Sequence, residues 1–397
     1  MTLFLGGVRV LEFDHVWAGP FCGQVLADLG AEVIKIESQM RVDVHRRAGP
    51  YPNGRPGLNR SGVWNAQNRG KKSCLLNMKD ERGLQLALQL IAKSDVVIEN
   101  FTPGTLARLG LTQEAMVTVN PKIVVVSLSG YGQNGPWTRY PAYGPMLDAV
   151  SGLAWSTKDS GGEPSSVNGW FPDTTAALFG CIAALLGLIR SETEGAGSHF
   201  DISQLEAAVS LLPELIAMAS AGEELGALRG NEVPDSVFTD VVPCAGPDAW
   251  TALHVRTESE WYRLMRVLET ELDPPDGHDL ESMRRSLDCI SSRTLSWDRD
   301  RLCERLQSEG VEAVPVASIA DLVDDSHLKA RGAFLSVQHP EVGEFQTYAP
   351  VIKCGHAPGA ETKAPPLLGE DNRYVFGTLL GLSEGEQARL EVEKVIW

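Results

Sequence analysis

The sequence predicts an α/β protein built around a parallel sheet, and three observations carry that prediction. Short β-branched runs alternate with helical segments through the first third of the chain: RVLEF, the helical stretch around GQVLADLG, AEVIKIE, and later DVVIEN and KIVVVSLSGYG. These strands end in loops rich in Gly, Asn or Pro, and open α/β sheets bind their ligands beyond the carboxyl ends of strands. The composition fits a folded protein with an ample core, at 397 residues, 43% hydrophobic and 22% charged.

The segment LEFDHVWAGPFCGQVLADLGAEVIKIE reads as strand, loop, helix and strand. Glu37 stands where dinucleotide-binding folds keep an acid for the ribose, but Gly19 and Gly23 are spaced G-x-x-x-G rather than G-x-G-x-x-G. The loop is then either a tight turn packed by Trp17 and Phe21 or a Pro-bearing loop whose backbone approaches a flat ligand at a helix start. From Gln39 to Gly70 the chain is polar and holds Pro and Gly, and the pattern resumes with a helix expected from about Glu81 to Lys93. A further helix is expected from Asp173 to Arg190; its apolar run, Ala176 to Ile189, is shorter than the ~20 residues of a membrane span and predicts a buried helix. Ser203 and Glu206 form an S-x-x-E capping box, which makes Glu206 a cap. Composition shifts divide the chain into a large domain over residues 1–224, a smaller domain over 225–325, and a Pro-rich segment over 326–397 that packs back on the first domain.

A net charge of −17 repels phosphate backbones and anionic lipid, which excludes nucleic acid and membrane as main partners. Between Ser38 and Arg82, however, ten Lys and Arg face three acids. That stretch is either a solvated face or the seat of a small polyanion, such as a nucleotide carrying several phosphates. Seven scattered cysteines without a CxxC pair predict reduced thiols, and histidines such as His254 and His278 lack a second ligand at metal spacing. The first residues carry no basic region or cleavage site, so the expected location is the cytoplasm. The absence of G-x-S-x-G, HExxH, Walker and EF-hand patterns argues against a serine hydrolase, a zincin or a nucleoside triphosphatase. Asp173, at the mouth of an apolar helix, either caps that helix or serves as a carboxylate nucleophile toward an activated acyl carbon.

Taken together, the motifs resemble the class III CoA-transferase superfamily, which holds formyl-CoA and carnitine CoA-transferases and the α-methylacyl-CoA racemases. The resemblance spans nearly the whole chain. It rests on RVLEFDHVWAGPFCGQVLADLGAEVIKIE, NRGKKSCLLNMKDERG, DVVIENFTPGTLARLGL, SLSGYGQNGP, the segment around Asp173 with AALLGLIRSETEGAGSHFDISQLEA, and the late HPEVG and KAPPLLGED. It implies a Rossmann-like large domain built from both chain ends, a smaller α+β domain, and an interlocked dimer. It also implies that Asp173 forms mixed-anhydride and aspartyl-CoA intermediates. Val16, Trp17 and Ala18 match the loop beside CoA, and Leu76, Lys79, Asn100, Phe101 and Arg108 match further CoA contacts.

Two departures shape the expected substrate. Ser38 replaces an arginine of the formyl-CoA transferases, which leaves Arg41 or Arg46 to meet the CoA phosphates. No run of glycines follows Arg229, Gly230 and Asn231, which argues against formate or oxalate, while Trp17, Trp170 and Phe171 around Asp173 suit an acceptor with an apolar body. Tyr143 stands in the substrate pocket where the racemases have a His; a phenol with a reference pKa of ~10 is a poor base at neutral pH. The implied activity is therefore movement of CoA from an acyl-CoA to a carboxylic acid, with no cofactor beyond CoA itself as substrate. An epimerase and a CoA-binding partner subunit are the alternatives, and a homodimer or a heterodimer is the implied assembly. A nicotinamide-dependent oxidoreductase would need the missing glycine fingerprint.

Overall fold

The computed structural model describes residues 3–158, 162–223, 231, 233, 235–277, 279–353 and 363–397. His278, Arg229, Gly230 and Cys354 lie outside the described residues. Two compact units divide the chain: residues 1–153, 166–213 and 330–397 form unit one, and residues 154–165 and 214–329 form unit two.

Unit one holds a six-stranded parallel sheet of β1 (Arg9–Phe13), β2 (Glu32–Glu37), β3 (Lys72–Leu75), β4 (Val96–Glu99), β5 (Val124–Ser129) and β6 (Ser198–Ser203). The strand order is β3-β2-β1-β4-β5-β6, in which the chain starts in the middle and winds outward both ways. The α/β expectation holds. β4 and the start of β5 are continuous runs of Val and Ile, and β1 and β2 bury nearly every residue, because helices cover both faces of the sheet. Alternate residues feed two cores: Leu11, Ile34, Val97 and Val125 on one face, and Val10, Val33, Val96 and Val124 on the other.

The helices of unit one include α1 (Ala18–Asp28), α2 (Gly62–Gln67), α3 (Glu81–Ile91), α4 (Thr105–Arg108), α5 (Gln113–Val119) and α6 (Gly144–Val150). After the short α7 (Leu153–Ser156), of which only Leu153 belongs to unit one, come α8 (Phe171–Glu194) and α9 (Gln204–Val209), the latter capped by Ser203, which accepts the Glu206 N–H. α8 packs on α1 and β5 through small residues: Ala176, Ala177, Gly180, Ala183, Ala184 and Gly187. Its other side corrects the expectation of a buried helix. Leu178, Phe179, Ile182, Leu186 and Ile189 are 42 to 60% exposed, so α8 is apolar all round but covered on one side only. By length and composition alone this helix is also long and apolar enough to cross a membrane, with half of that stretch buried.

The later segment of unit one completes the β3 edge. The Ser73 and Leu75 N–H groups donate to the side chains of Asp371 and Asn372, Asn77 N–H donates to the Val395 carbonyl, and Leu76 bridges Ile396. Strands β10 (Phe334–His339) and β11 (Gly343–Tyr348) form an antiparallel hairpin.

Besides residues 154–165, unit two takes in α10 (Pro213–Ser220) from its second residue onward and contains β7 (Phe238–Pro243), β8 (Trp250–Val255), α11 (Glu258–Val267), α12 (Leu280–Thr294), α13 (Arg299–Ser308) and β9 (Glu312–Pro315). The strands pair antiparallel in the order β7-β8-β9. Phe238, Leu253, Trp261, Leu264 and Ile290 form its core.

Candidate active site

The site forms at the carboxyl ends of β1, β4 and β5, where the chain leaves each strand for a loop. A cavity of about 260 Å³ opens there, lined by His15 and Val16 after β1, Arg41 and Val42 after β2, Asn100 and Phe101 after β4, and Tyr131 and Tyr143 after β5. Asp173 lines the same cavity. A larger cavity of about 660 Å³ lies at the amino ends of β2 and β3, where Arg69, Lys71 and Lys72 already pair with Asp28, Glu12 and Asp371. Of its cations only Lys363 is without an ion pair among the described residues, and none of the predicted site residues lines it. The smaller cavity is the candidate site, because the predicted site residues gather there.

Asp173 is the third residue of α8 and is 7% exposed. It stands in the first turn of the helix rather than at the cap position, with its carboxylate beside its own backbone N–H. Trp170 holds the cap position without a side-chain bond, and the buried Oδ2 of Asp173 has no hydrogen-bond partner. Burial pushes the carboxyl up to about 7. Gly144 leaves it room: a Cβ there would sit 1.5 Å from the Gly169 carbonyl oxygen and 2.7 Å from Asp173 Oδ2. Trp17 ties the neighbouring loop to α8 by donating from Nε1 to Thr174 Oγ1 at 3.0 Å, and its ring stacks on Trp170 at 4.5 Å.

The loop between β1 and α1 is strained. Val16 has φ +70°, a left-handed conformation that costs a β-branched residue about 1–2 kcal/mol. Beneath it lies a buried charge cluster. Lys35 pairs with Asp14 and stands 3.9 Å from both Glu12 and Asp43, while Lys71 pairs with Glu12 at 2.8 Å. Burial alone would lower the Lys35 pKa, but Asp14, Glu12 and Asp43 more than reverse that and hold it raised. Burial likewise opposes ionisation of Asp43, yet Lys35 and the nearby histidines keep its pKa low. His15 and His45 are pushed down by burial, which favours their neutral forms. Burial raises Glu99, at the end of β4, to about 7. Its carboxylate accepts the Phe101 N–H and the Gln133 side-chain amide, joining the loops after β4 and β5.

The two glycines of the G-x-x-x-G spacing serve this cluster. A Cβ at Gly19 would lie 2.5 Å from Asp14, and one at Gly23 would lie 1.4 Å from Glu12 Oε1. They let α1 lie directly on the buried carboxylates of and after β1.

Of the residues expected at the site, the cavity lining brings together Val16, Arg41, Asn100, Phe101, Tyr143 and Asp173. Trp17 borders it through Thr174, and Ala18 is the buried first residue of α1. Leu76 is fully buried beside Ile396, while Lys79 and Arg108 are exposed and outside the lining. Arg46 requires a correction. Its fully buried guanidinium pairs twice with Glu37, donates to Leu58 O, Asn59 and Pro366 O, and stacks 3.4 Å over Trp64, so all five N–H donors are engaged and none is left for a phosphate. Glu37 therefore holds an arginine rather than a ribose, and Arg41 is the remaining choice.

The basic stretch also reads differently in space. Arg46, Arg69, Lys71, Lys72 and Arg82 meet Glu37, Asp28, Glu12, Asp371 and Glu393, all outside the Ser38–Arg82 window. Among the described residues, Arg41, Arg47, Arg55 and Lys79 make no ion pair. No group of three or more His, Cys, Asp or Glu that could hold a metal occurs among the described residues. Lys35, Asp43 and Glu99 were not anticipated as site residues. For Lys35 a signal existed, a lysine between Ile34 and Ile36 in a strand covered on both faces.

Residues 5–372 match the model of CoA-transferase family III. Succinyl-CoA--D-citramalate CoA-transferase of Chloroflexus aurantiacus is 30% identical over 99% of this chain and 98% of that protein. The alpha subunit of succinyl-CoA--L-malate CoA-transferase from Chloroflexus aurantiacus is 31% identical over 99% of this chain and 92% of that one. A crystal structure of a CAIB/BAIF family protein from Brucella suis superposes with a TM-score of 0.84 at 27% identity, covering 96% of this chain and all of that one. The chain belongs to CoA-transferase family III.

Proposed function

From that membership we propose that this CoA-transferase moves CoA from an acyl-CoA donor to a carboxylic acid through a thioester on Asp173. The observation that carries the reading is a buried carboxylate with an unpartnered oxygen at the start of α8, in a cavity built from the loops after β1, β4 and β5. An oxygen of Asp173 attacks the donor's thioester carbonyl, the C–S bond breaks, and CoA leaves as the thiolate beside a mixed anhydride. The thiolate attacks the aspartyl carbonyl and releases the donor acid, leaving CoA on Asp173. The acceptor carboxylate attacks that thioester and frees the thiolate again. In the last step the thiolate attacks the acceptor's acyl carbon and returns Asp173 as a carboxylate. Each step exchanges one activated acyl group for another, so the cycle balances without metal, nucleotide hydrolysis or redox cofactor.

Arg41, exposed on the cavity rim and free of any ion pair among the described residues, is the cation offered to the CoA phosphates. Tyr143, 60% exposed at the start of α6, faces the same cavity and favours transfer over epimerisation, for which it would be a weak base. The aromatic wall of Trp17 and Trp170 suits an acid with an apolar body. A cytoplasmic location is the reading carried over from the sequence, on its scattered cysteines without a CxxC pair.

We further infer a dimer, on the support of the uncovered apolar side of α8. A second copy is the partner proposed, and a distinct subunit is the alternative. Sedimentation of the purified chain is expected to give a dimer mass; a monomer at micromolar concentration overturns the homodimer.

Intact-protein mass after brief incubation with a panel of acyl-CoA thioesters tests the reaction. An adduct of CoA or acyl mass on the wild type, absent from Asp173→Asn, is expected. Binding of the panel without any adduct would set the transferase mechanism aside in favour of the epimerase or partner-subunit reading.

A further inference from the structure

The peptide between His15 and Val16 is held at both ends by side chains from other parts of the sheet. Asn100 Nδ2 donates to its carbonyl oxygen at 2.7 Å, and the carboxylate of Asp43 accepts its N–H at 3.2 Å. The preceding peptide is held too, by Lys35 Nζ on Asp14 O at 3.0 Å and by His15 N–H on Asn100 Oδ1 at 2.9 Å. Asp43 is 1% exposed, also accepts the His45 N–H at 2.9 Å, and lies near the Lys35 ammonium. Backbone in an unfavourable region persists only where its surroundings over-determine it. For Val16, at φ +70°, the surroundings are these hydrogen bonds.

Val16 lines the cavity with Asp173, and the next residue is Trp17, whose indole is bonded to Thr174 beside the nucleophile. Rotation of this one peptide would therefore move both the cavity wall and the aromatic side chain next to Asp173. We propose that Asp43 is a positioning residue for the transfer reaction, holding the Val16 peptide in its left-handed conformation so that the acyl-CoA meets Asp173 in register. The role rests on the transferase reading given above. Asp43 touches no reacting atom. It acts through Val16.

The test separates this from a role in charge balance with Lys35. Rates of CoA exchange and dissociation constants for an acyl-CoA are measured on the wild type, Asp43→Ala, Asp43→Asn and the double variant Asp43→Ala/Val16→Gly, with folding checked by circular dichroism. Asp43→Ala is expected to lower kcat/KM about 10- to 100-fold, the scale of an ångström-sized misplacement. Asp43→Asn, which keeps one acceptor oxygen for the Val16 N–H, is expected to lose less. Glycine takes φ near +70° without steric cost, so the double variant is expected to regain about tenfold over Asp43→Ala. A charge-balance role predicts no such rescue. A double variant as slow as the single, or an Asp43→Ala enzyme as fast as wild type, overturns the proposal. If Asp43→Ala does not fold, the same comparison is made on Asp43→Asn with and without Val16→Gly. If the wild type transfers no CoA at all, the transferase reading fails by itself, and rescue of acyl-CoA affinity by Val16→Gly decides the positioning role.

Discussion

The loop end of the parallel sheet in unit one and the antiparallel sheet of unit two treat polar groups in opposite ways. In unit two the helices α11, α12 and α13 are each capped by a side chain, Thr257, Asp279 and Asp298. Its pairs among Arg256, His254 and Glu312 sit at the surface, and the buried Trp261 still donates from Nε1 to Leu272 O. In unit one, α1 and α8 start without any side-chain cap, Asp173 keeps an unpartnered oxygen, and Glu12, Asp14, Lys35 and Asp43 share a fully buried cluster. Unit two spends its polar groups on stability. Unit one buries charged groups at its candidate site, paired around Lys35 but with one oxygen of Asp173 left unpartnered, and such trade of stability for chemistry is the usual mark of an active site.

Removing the most costly of these groups should show the contrast most sharply. Asp173→Asn is expected to slow transfer by at least about 10³-fold, as loss of a nucleophile does. The same change should stabilise the fold at alkaline pH. With a carboxyl pushed up to about 7, the folded state holds its proton more tightly than the unfolded chain, so the stability it contributes is whole below about pH 4 and lost as pH rises through 7. Above pH 7 the ionised group costs on the order of 2–4 kcal/mol, which asparagine removes. Melting curves at pH 5 and pH 8 check the sign: the variant's advantage must appear at pH 8 and shrink at pH 5.

The next contrast is between buried and capped. Lys35→Met leaves Asp14 and Asp43 without their cation, and urea unfolding is expected to show a loss of about 3–5 kcal/mol. Thr257→Ala, which removes only a helix cap in unit two, should cost about 1 kcal/mol and leave the exchange rate per folded molecule unchanged. Equal losses for these two variants would erase the distinction between the units.

The strand and helix alternation of unit one was legible because parallel strands covered on both faces must be β-branched and apolar. β3 escaped because its sequence, KSCL, has no β-branched residue, whereas the equally short β4 reads VVIE. For α8, length and apolarity were legible but coverage was not, since hydropathy cannot tell Ala183 against the sheet from Ile182 in the open. The basic stretch misled for a related reason: charge balance is struck in space, and Glu12, Asp28 and Asp371 lie far off in sequence. Asp173 was legible as one of two alternatives, and its unpartnered oxygen was not, because burial of one carboxylate atom is set by how Gly144 and Gly169 pack beside it. Asp43 gave no signal, because its role depends on where one backbone N–H points.

The β3 edge sets an order of events during synthesis. Its partners, Asp371, Asn372, Val395 and Ile396, leave the ribosome after every residue of unit two has been made. At about 5–20 residues per second, unit two has several seconds of head start, while the first 153 residues wait for the segment that closes their sheet. The strand most exposed during that wait is β3, with an open edge and a row of unsatisfied amides. The unit that holds the candidate site is thus the last to be finished.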